Sequence, residues 1–218
     1  GGDTICCKVS ALKGDGVPTL IENLSRATSA MRATRATPHP ALRSVEAANA
    51  DFVRRFALVE SDSELKTYLE IRCASCAAHA YSGMPANIVS LAADLIGWLF
   101  LFDDRFGEGG RDDDMRSMMQ RFASYEAIMA GQSLTRDATP FHHALADLTH
   151  RGRHLGGEHW LRRWSASMAR YFDGCTLELP YRRSDAIPSL AQYRELRTWS
   201  VGTMACFCIS ELGLSRPL

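Results

Sequence analysis

From Ala41 onward the apolar residues recur every three or four positions over long stretches, and groups of Gly or Pro interrupt them at helical rather than strand intervals. The pattern predicts an all-α protein, with helices over residues 42–58, 63–81, 85–104, 112–130, 138–153, 157–179 and 188–212. Ser63, with Lys66 and Thr67 after it, marks the start of the second helix. Pro85 falls in the first turn of the third, and Pro188 with Ser189 opens the last. Short polar loops at 107–111, 131–140 and 180–187 join them. Ahead of this region, Gly1, Gly2, Gly14, Gly16, Pro18, Pro38 and Pro40 surround one amphipathic patch, Leu20 to Met31. Residues 1–37 therefore read as a peripheral extension and residues 38–218 as one helical domain, with no repeat of fixed period and no internal linker.

Composition narrows the function classes. The 218 residues carry 25 Lys plus Arg against 25 Asp plus Glu, for a net charge of zero, so nothing marks a nucleic-acid or anionic-membrane surface. Hydrophobic residues at 46% and charged residues at 23% are the proportions of a chain that folds. The longest uncharged apolar candidate, Leu95 to Phe102, stops at Asp103 and Asp104, short of the roughly 18 residues that would span a bilayer. The start, GGDTICCKVS, lacks the charged and apolar regions of a secretory signal, which predicts a cytoplasmic protein. Seven cysteines at irregular spacing (Cys6, Cys7, Cys73, Cys76, Cys175, Cys206, Cys208) argue against a disulfide framework and for mostly buried thiols. Cys73 and Cys76 form a CxxC without a second CxxC or His pair, and read as a packed helix face rather than a zinc or redox site. The GDG at 14–16 lacks the Lys-Ser/Thr end of a phosphate loop and reads as a flexible turn.

The candidate chemistry lies at the end of the third predicted helix. The run IVSLAADLIGWLFLF is apolar on nearly every side, which buries the helix, and it ends in Asp103, Asp104 and, beyond Arg105-Phe106-Gly107, Glu108. Carboxylates at a buried mouth need a cationic partner. A hard divalent ion such as Mg²⁺, which takes one or two carboxylates plus waters and phosphates, is one answer. A solvated helix end with salt bridges to Arg105 or Arg111 is the other, and composition alone weighs the two evenly. Ile96, Leu99 and Phe100 fall seven, four and three residues before Asp103, so the face below the acids is apolar and aromatic, as a core stripe or as the wall of an oily pocket.

WLFLFDDRFGE at 98–108 resembles the aspartate-rich motif of microbial class I terpene synthases, read as DDxxxE with Glu108 last because position 107 is glycine. A second block, IPSLAQYRELRTWSVG at 187–202, is similar to that family's Pro-Ser-Leu segment with its Tyr, an Arg four residues on and a small-residue helix break. Weaker likeness appears at 39–59 and 140–151, and the resemblance covers roughly residues 38–212.

The resemblance implies a mechanism. In that family three Mg²⁺ ions, with Mn²⁺ as a substitute, and basic side chains grip the diphosphate of a linear isoprenyl substrate, most often farnesyl diphosphate. Ionisation then gives an allylic cation that cyclises in an apolar pocket. By motif, Asp103 would be the principal metal ligand, with Asp104 and Glu108 supporting it. Arg197, four residues after Tyr193, would sense the diphosphate; Ser200 and Val201 would stand at the break where a backbone carbonyl points at the substrate, with Gly202 easing it. Leu99 and Phe100 would line the pocket. Without the resemblance, Arg197 reads as a surface salt bridge to Glu195 or Glu211. The family's second metal motif, (N/D)DxxSxxxE, has no match at its place, and the chain is expected to be an incomplete form of that domain, inactive alone. Asp113, Asp114 and Ser117 mimic the spacing, but Arg121 stands where the last acid belongs, and they read as an exposed charge cluster. The rivals are an isoprenyl diphosphate synthase, which needs a second aspartate-rich motif, and an inactive helical interaction module on the same scaffold. The expected partners are an isoprenyl diphosphate and, at most, a second copy in a homodimer.

Overall fold

A computed structural model of the chain describes residues 37–108, 115–184 and 186–213. Among the described residues there is no strand. The helices are α1 (Leu42–Arg55), α2 (Asp62–Ile71), α3 (Cys73–Ala80), α4 (Ala86–Phe102) with a π-helical turn after it (Asp103–Glu108), α5 (Met115–Met129), α6 (Pro140–Ser184), α7 (Leu190–Ser200) and α8 (Thr203–Glu211). Apart from Thr37 these residues lie in one unit, Pro38–Leu218, so the expected extension falls almost wholly outside the described residues.

The all-α expectation holds, and the helix ends move for identifiable reasons. The helix expected over 63–81 is two helices, because Arg72 takes a left-handed conformation (φ 63°) that closes α2 and opens α3. The start of α2 lies before Ser63: Ser61 is its cap, with its side chain accepting from the Glu64 N–H while Glu64 reaches back to the Glu60 N–H. Of the CxxC, only Cys73 is buried and Cys76 is exposed. Pro85 stands as the cap of α4 rather than in its first turn. The expected pair 138–153 and 157–179 is present as two helical halves of α6 that meet at a kink at Gly157 (φ 69°, ψ −174°). Its second half continues through Pro180 to Ser184, where a loop was expected. Pro180 removes one helical hydrogen bond, but Glu178 and Leu179 are buried, and tertiary packing carries the helix past the proline. At the last helix the capping box of Ser189 and Gln192 matches the expected start, but the run to 212 divides at Val201–Gly202 into α7 and α8.

The centre of the unit is α4. Twelve of its residues, from Ile88 to Phe102, are buried, including both Trp98 and Gly97. Helices α1, α3, α6 and α8 pack around it. Trp98 stacks on Phe102 at 5.0 Å, meets Tyr125 and Phe141 edge-on, and donates from Nε1 to the Phe141 carbonyl at 3.1 Å. Each such ring contributes about 1.5–3 kcal/mol by burial, with about 0.5–1.5 more per well-oriented pair. The helix with its π-turn, Ala86–Phe106, is long and apolar enough to cross a membrane by length and composition. Here it is a core helix, because it is wrapped by others and carries an ion-paired aspartate. Asp94 Oδ1 accepts from Asn49 Nδ2 (2.9 Å) and Oδ2 meets Arg151 Nη2 (2.9 Å), while Tyr68 donates to Asn49 Oδ1 (2.6 Å). Burial raises the Asp94 carboxyl to about 6 against the opposing pull of Arg151. A Cβ at Gly97 would lie 2.1 Å from the Tyr68 hydroxyl, so glycine is what lets this polar network reach the core.

Candidate functional site

Two chain segments converge at one end of α4. The first is the acid-bearing end of that helix. Asp103 is the residue at which α4 passes into the π-turn; it is half-buried, and Asp104 beside it is exposed. One extra residue per turn widens the helix here, a distortion common at functional sites. The turn is anchored on both sides of the acids. Phe106 packs on Phe102 and Phe141 at 5.2 Å each, with the Arg121 guanidinium 4.0 Å above its ring, and Arg105 pairs with Glu60 at 2.8 Å. Of the two arginines weighed for the acids, Arg105 pairs with Glu60. The C-terminal end of a helix carries partial negative charge, and two carboxylates add to it, so the site favours a cation. The donors are hard oxygens and fit an ion held by one or two carboxylates, with water and phosphate completing its shell. Among the described residues no group of three His, Cys, Asp or Glu is arranged to hold a metal. The Glu108 side chain, Arg111 and the Asp113–Asp114 lookalike lie outside what is described.

The second segment is the α7–α8 junction. Gly202 has φ 69°, the left-handed region that glycine enters without cost, and a Cβ there would stand 3.3 Å from Leu99 Cδ1 and 3.5 Å from Tyr171 Cδ2. Leu99 on α4 is one turn before Asp103, so the break sits against the acid-tipped face. The neighbours on either side, Phe100 (49% exposed) and Val201 (47%), both present apolar surface to the outside. Phe100 thus lies at the open edge of this face among the described residues.

Arg197 sits one turn before the break. Its Nη1 lies 3.6 Å from Glu178 Oε1 and 3.5 Å from Ser200 Oγ, and Ser200 donates to the same Glu178 oxygen. The salt-bridge expectation is corrected: Glu195, two residues away, faces another side of α7, and Glu211 pairs with Arg163 instead. Glu178 and Gly174 are the residues that sequence reasoning missed. They stand four apart on one face of α6, and both meet the last turn of α7. A Cβ on Gly174 would come within 2.6 Å of the Ser200 nitrogen, so its absence is what allows the two helices to touch. A glutamate within the apolar stretch CTLELP was the available signal. Glu178 leaves Arg197 with its side chain 43% exposed and held at one edge, so the rest of its guanidinium fork is directed by a buried carboxylate.

Residues 94–218 match the sequence model of the family described as terpene synthase family 2, C-terminal metal binding. Among curated relatives, (+)-T-muurolol synthase ((2E,6E)-farnesyl diphosphate cyclizing) of Roseiflexus castenholzii is 34% identical over 136 residues, covering 62% of this chain and 42% of that one. Germacrene A synthase of Nostoc punctiforme is 28% identical over 161 residues, 74% of this chain and 50% of its own. Among solved structures, linalool/nerolidol synthase from Streptomyces clavuligerus, in complex with 2-fluorogeranyl diphosphate, superposes with TM-score 0.72 at 23% identity, over 81% of this chain and 60% of that one. Germacradien-4-ol synthase from Streptomyces citricolor gives 0.70 at 24% identity, over 81% and 59%. The chain spans about half the length of the curated relatives it matches. At these identities the structural likeness is one of fold.

Proposed function

The chain belongs to terpene synthase family 2, and from that membership we propose that it acts in class I terpene synthase chemistry, the Mg²⁺-dependent ionisation of a linear isoprenyl diphosphate followed by cyclisation. Farnesyl diphosphate is the first substrate to test, since a relative named for cyclising it is 34% identical. The observation that carries the reading is the contact between Gly202 and Leu99, which brings the break beside Arg197 against the face of α4 that ends in Asp103.

On this reading Asp103 holds the metal, with Asp104 and Glu108 supporting it. Mg²⁺, when bound, supplies Lewis-acid activation and charge neutralisation for the diphosphate leaving group. Arg197 donates charge-assisted hydrogen bonds to the diphosphate oxygens, and Glu178 fixes its direction from behind. As the carbon–oxygen bond breaks, its electron pair leaves with the diphosphate. The allylic cation meets the apolar surface of Leu99 and Phe100, where the ring face of Phe100 stabilises positive charge. Ser200 and Val201 at the break turn backbone toward the same region, and Ser200 is tied to Glu178.

Calorimetric titration of inorganic diphosphate with and without Mg²⁺ tests the site. Binding should require Mg²⁺ in the wild type and be lost in Asp103→Asn; equal Mg²⁺-dependent binding in the two would sink the assignment. Mass-spectrometric analysis of hydrocarbons made from farnesyl diphosphate by the full-length protein tests the reaction, and acyclic alcohols alone would overturn cyclisation.

A further inference from the structure

The far end of α4 carries a different set of groups. A cavity of about 280 Å³ opens there between α4 and the first half of α6, lined by Asn87, Ser90, His150, Arg151, His154 and Leu155. Ser90 precedes Asp103 by thirteen residues, roughly 20 Å along the helix at 1.5 Å per residue, so this cavity is remote from the acid-tipped end. None of its lining takes part in the chemistry above.

We propose that His150 and His154 form a two-imidazole site for a divalent transition-metal ion of the Zn²⁺ class. The pair stands in the sequence HRGRH, and residues four apart on a helix lie one above the other with Cβ atoms about 5–6 Å apart. That is the spacing at which two helical histidines bind one zinc ion. Neutral imidazoles select this class of metal over Mg²⁺, which prefers oxygen. Asn87 and Ser90 line the same cavity from α4 and bring oxygen donors to it.

The charges around the cavity permit a cation. The two arginines between the histidines are engaged in ion pairs. Arg151 meets Asp94 at 2.9 Å and Asp147 at 2.8 Å, and Arg153 meets Glu158 at 2.9 Å. Arg55 adds a second contact to Asp147 at 3.2 Å. Among the described residues no third His, Cys, Asp or Glu completes the pair. The remaining coordination positions therefore fall to Asn87, Ser90 or water, which makes the site open and exchangeable rather than closed and structural. A metal bound there stabilises the folded state by binding it in preference to the unfolded chain.

The test uses the full chain, stripped of metal, titrated with Zn²⁺ by calorimetry and with Co²⁺ by absorption. The histidine site should take up one equivalent and raise the melting temperature. Losing a direct ligand costs at least what losing an outer partner does, so His150→Ala and His154→Ala should each weaken binding by about tenfold or more. Both histidines are exposed, and the variants should keep the wild-type melting temperature without metal. Cys76→Ser should bind as the wild type does. Binding untouched by either histidine variant, a thiolate-to-cobalt charge-transfer band, or loss in Cys76→Ser would overturn the proposal. Because Asp103→Asn tests the other end of α4 with Mg²⁺ and diphosphate, failure of one assignment leaves the other standing.

Discussion

Replacing Gly174 with alanine sets two known effects against each other. In the interior of a helix alanine is favoured over glycine by about 0.8–1 kcal/mol, so local propensity alone makes Gly174→Ala stabilising. The surroundings argue otherwise. The added Cβ would stand 2.6 Å from the Ser200 nitrogen, 2.9 Å from the Trp199 carbonyl carbon and 2.9 Å from Trp199 Cβ. Two of these three atoms are main chain, which cannot rotate aside as a side-chain tip can, so α7 must move. Overpacking of this kind costs about 1–3 kcal/mol, and rigid neighbours put it near the top of that range. The net expectation is a loss of about 2 kcal/mol, or a fall of about 4–8 °C in melting temperature for a chain of this length. Differential scanning calorimetry measures it, with Gly83→Ala as the control, since a Cβ at Gly83 meets nothing within 4 Å and should leave stability within about 0.5 kcal/mol. The displaced atoms belong to the turn that carries Arg197, so Mg²⁺-dependent diphosphate binding should weaken together with stability. A Gly174→Ala protein that melts at or above the wild-type temperature would refute the close seating of α7 on α6.

Two further outcomes follow from the charged groups. Arg197→Lys keeps the charge but loses the fork, and the loss of one charge-assisted hydrogen bond of about 1.5 kcal/mol should weaken Mg²⁺-dependent diphosphate binding roughly tenfold; undiminished binding in calorimetry would return Arg197 to a salt bridge with Glu178. The buried Asp94 has its carboxyl raised from 3.8 to about 6 by desolvation, so the native state keeps a proton that the unfolded chain has already released. Its contribution to stability is therefore full below 3.8 and declines as pH rises to about 6. The unfolding free energy of the wild type minus that of Asp94→Asn, from urea titrations, should fall across that window and stay level above it; a difference that grew with pH would mean that Arg151 outweighs burial.

The helical class, the buried α4 and the acids at its end were legible in the sequence because each is a local signal. Periodicity exposes a helix, an all-round apolar run exposes its burial, and charge at its terminus stands out against that run. What the sequence withheld are features decided by neighbours distant along the chain. Nothing in the residues around Arg72 marks a left-handed break, and no glycine stands there to supply one. Pro180 carries the ordinary signal of a helix end, yet buried contacts on its N-terminal side override it. Arg197 offered nearby glutamates at 195 and 211, and the partner that holds it is Glu178, on another helix.

The same division explains why a motif describes this site incompletely. Asp103 and Arg197 are visible as residue types at a spacing, but their usefulness depends on how α7 seats on α6 and the break at Gly202 seats on α4. That seating is set by three residues with no chemistry of their own. Gly174 removes the side chain that would hold α7 off α6, Gly202 turns the chain where Leu99 and Tyr171 leave room for no larger residue without adjustment, and Glu178 ties down both Ser200 and Arg197. Substituting any of the three changes no metal ligand and no diphosphate contact. Each should nonetheless weaken diphosphate binding, because the arginine would then sample directions that the buried carboxylate now excludes.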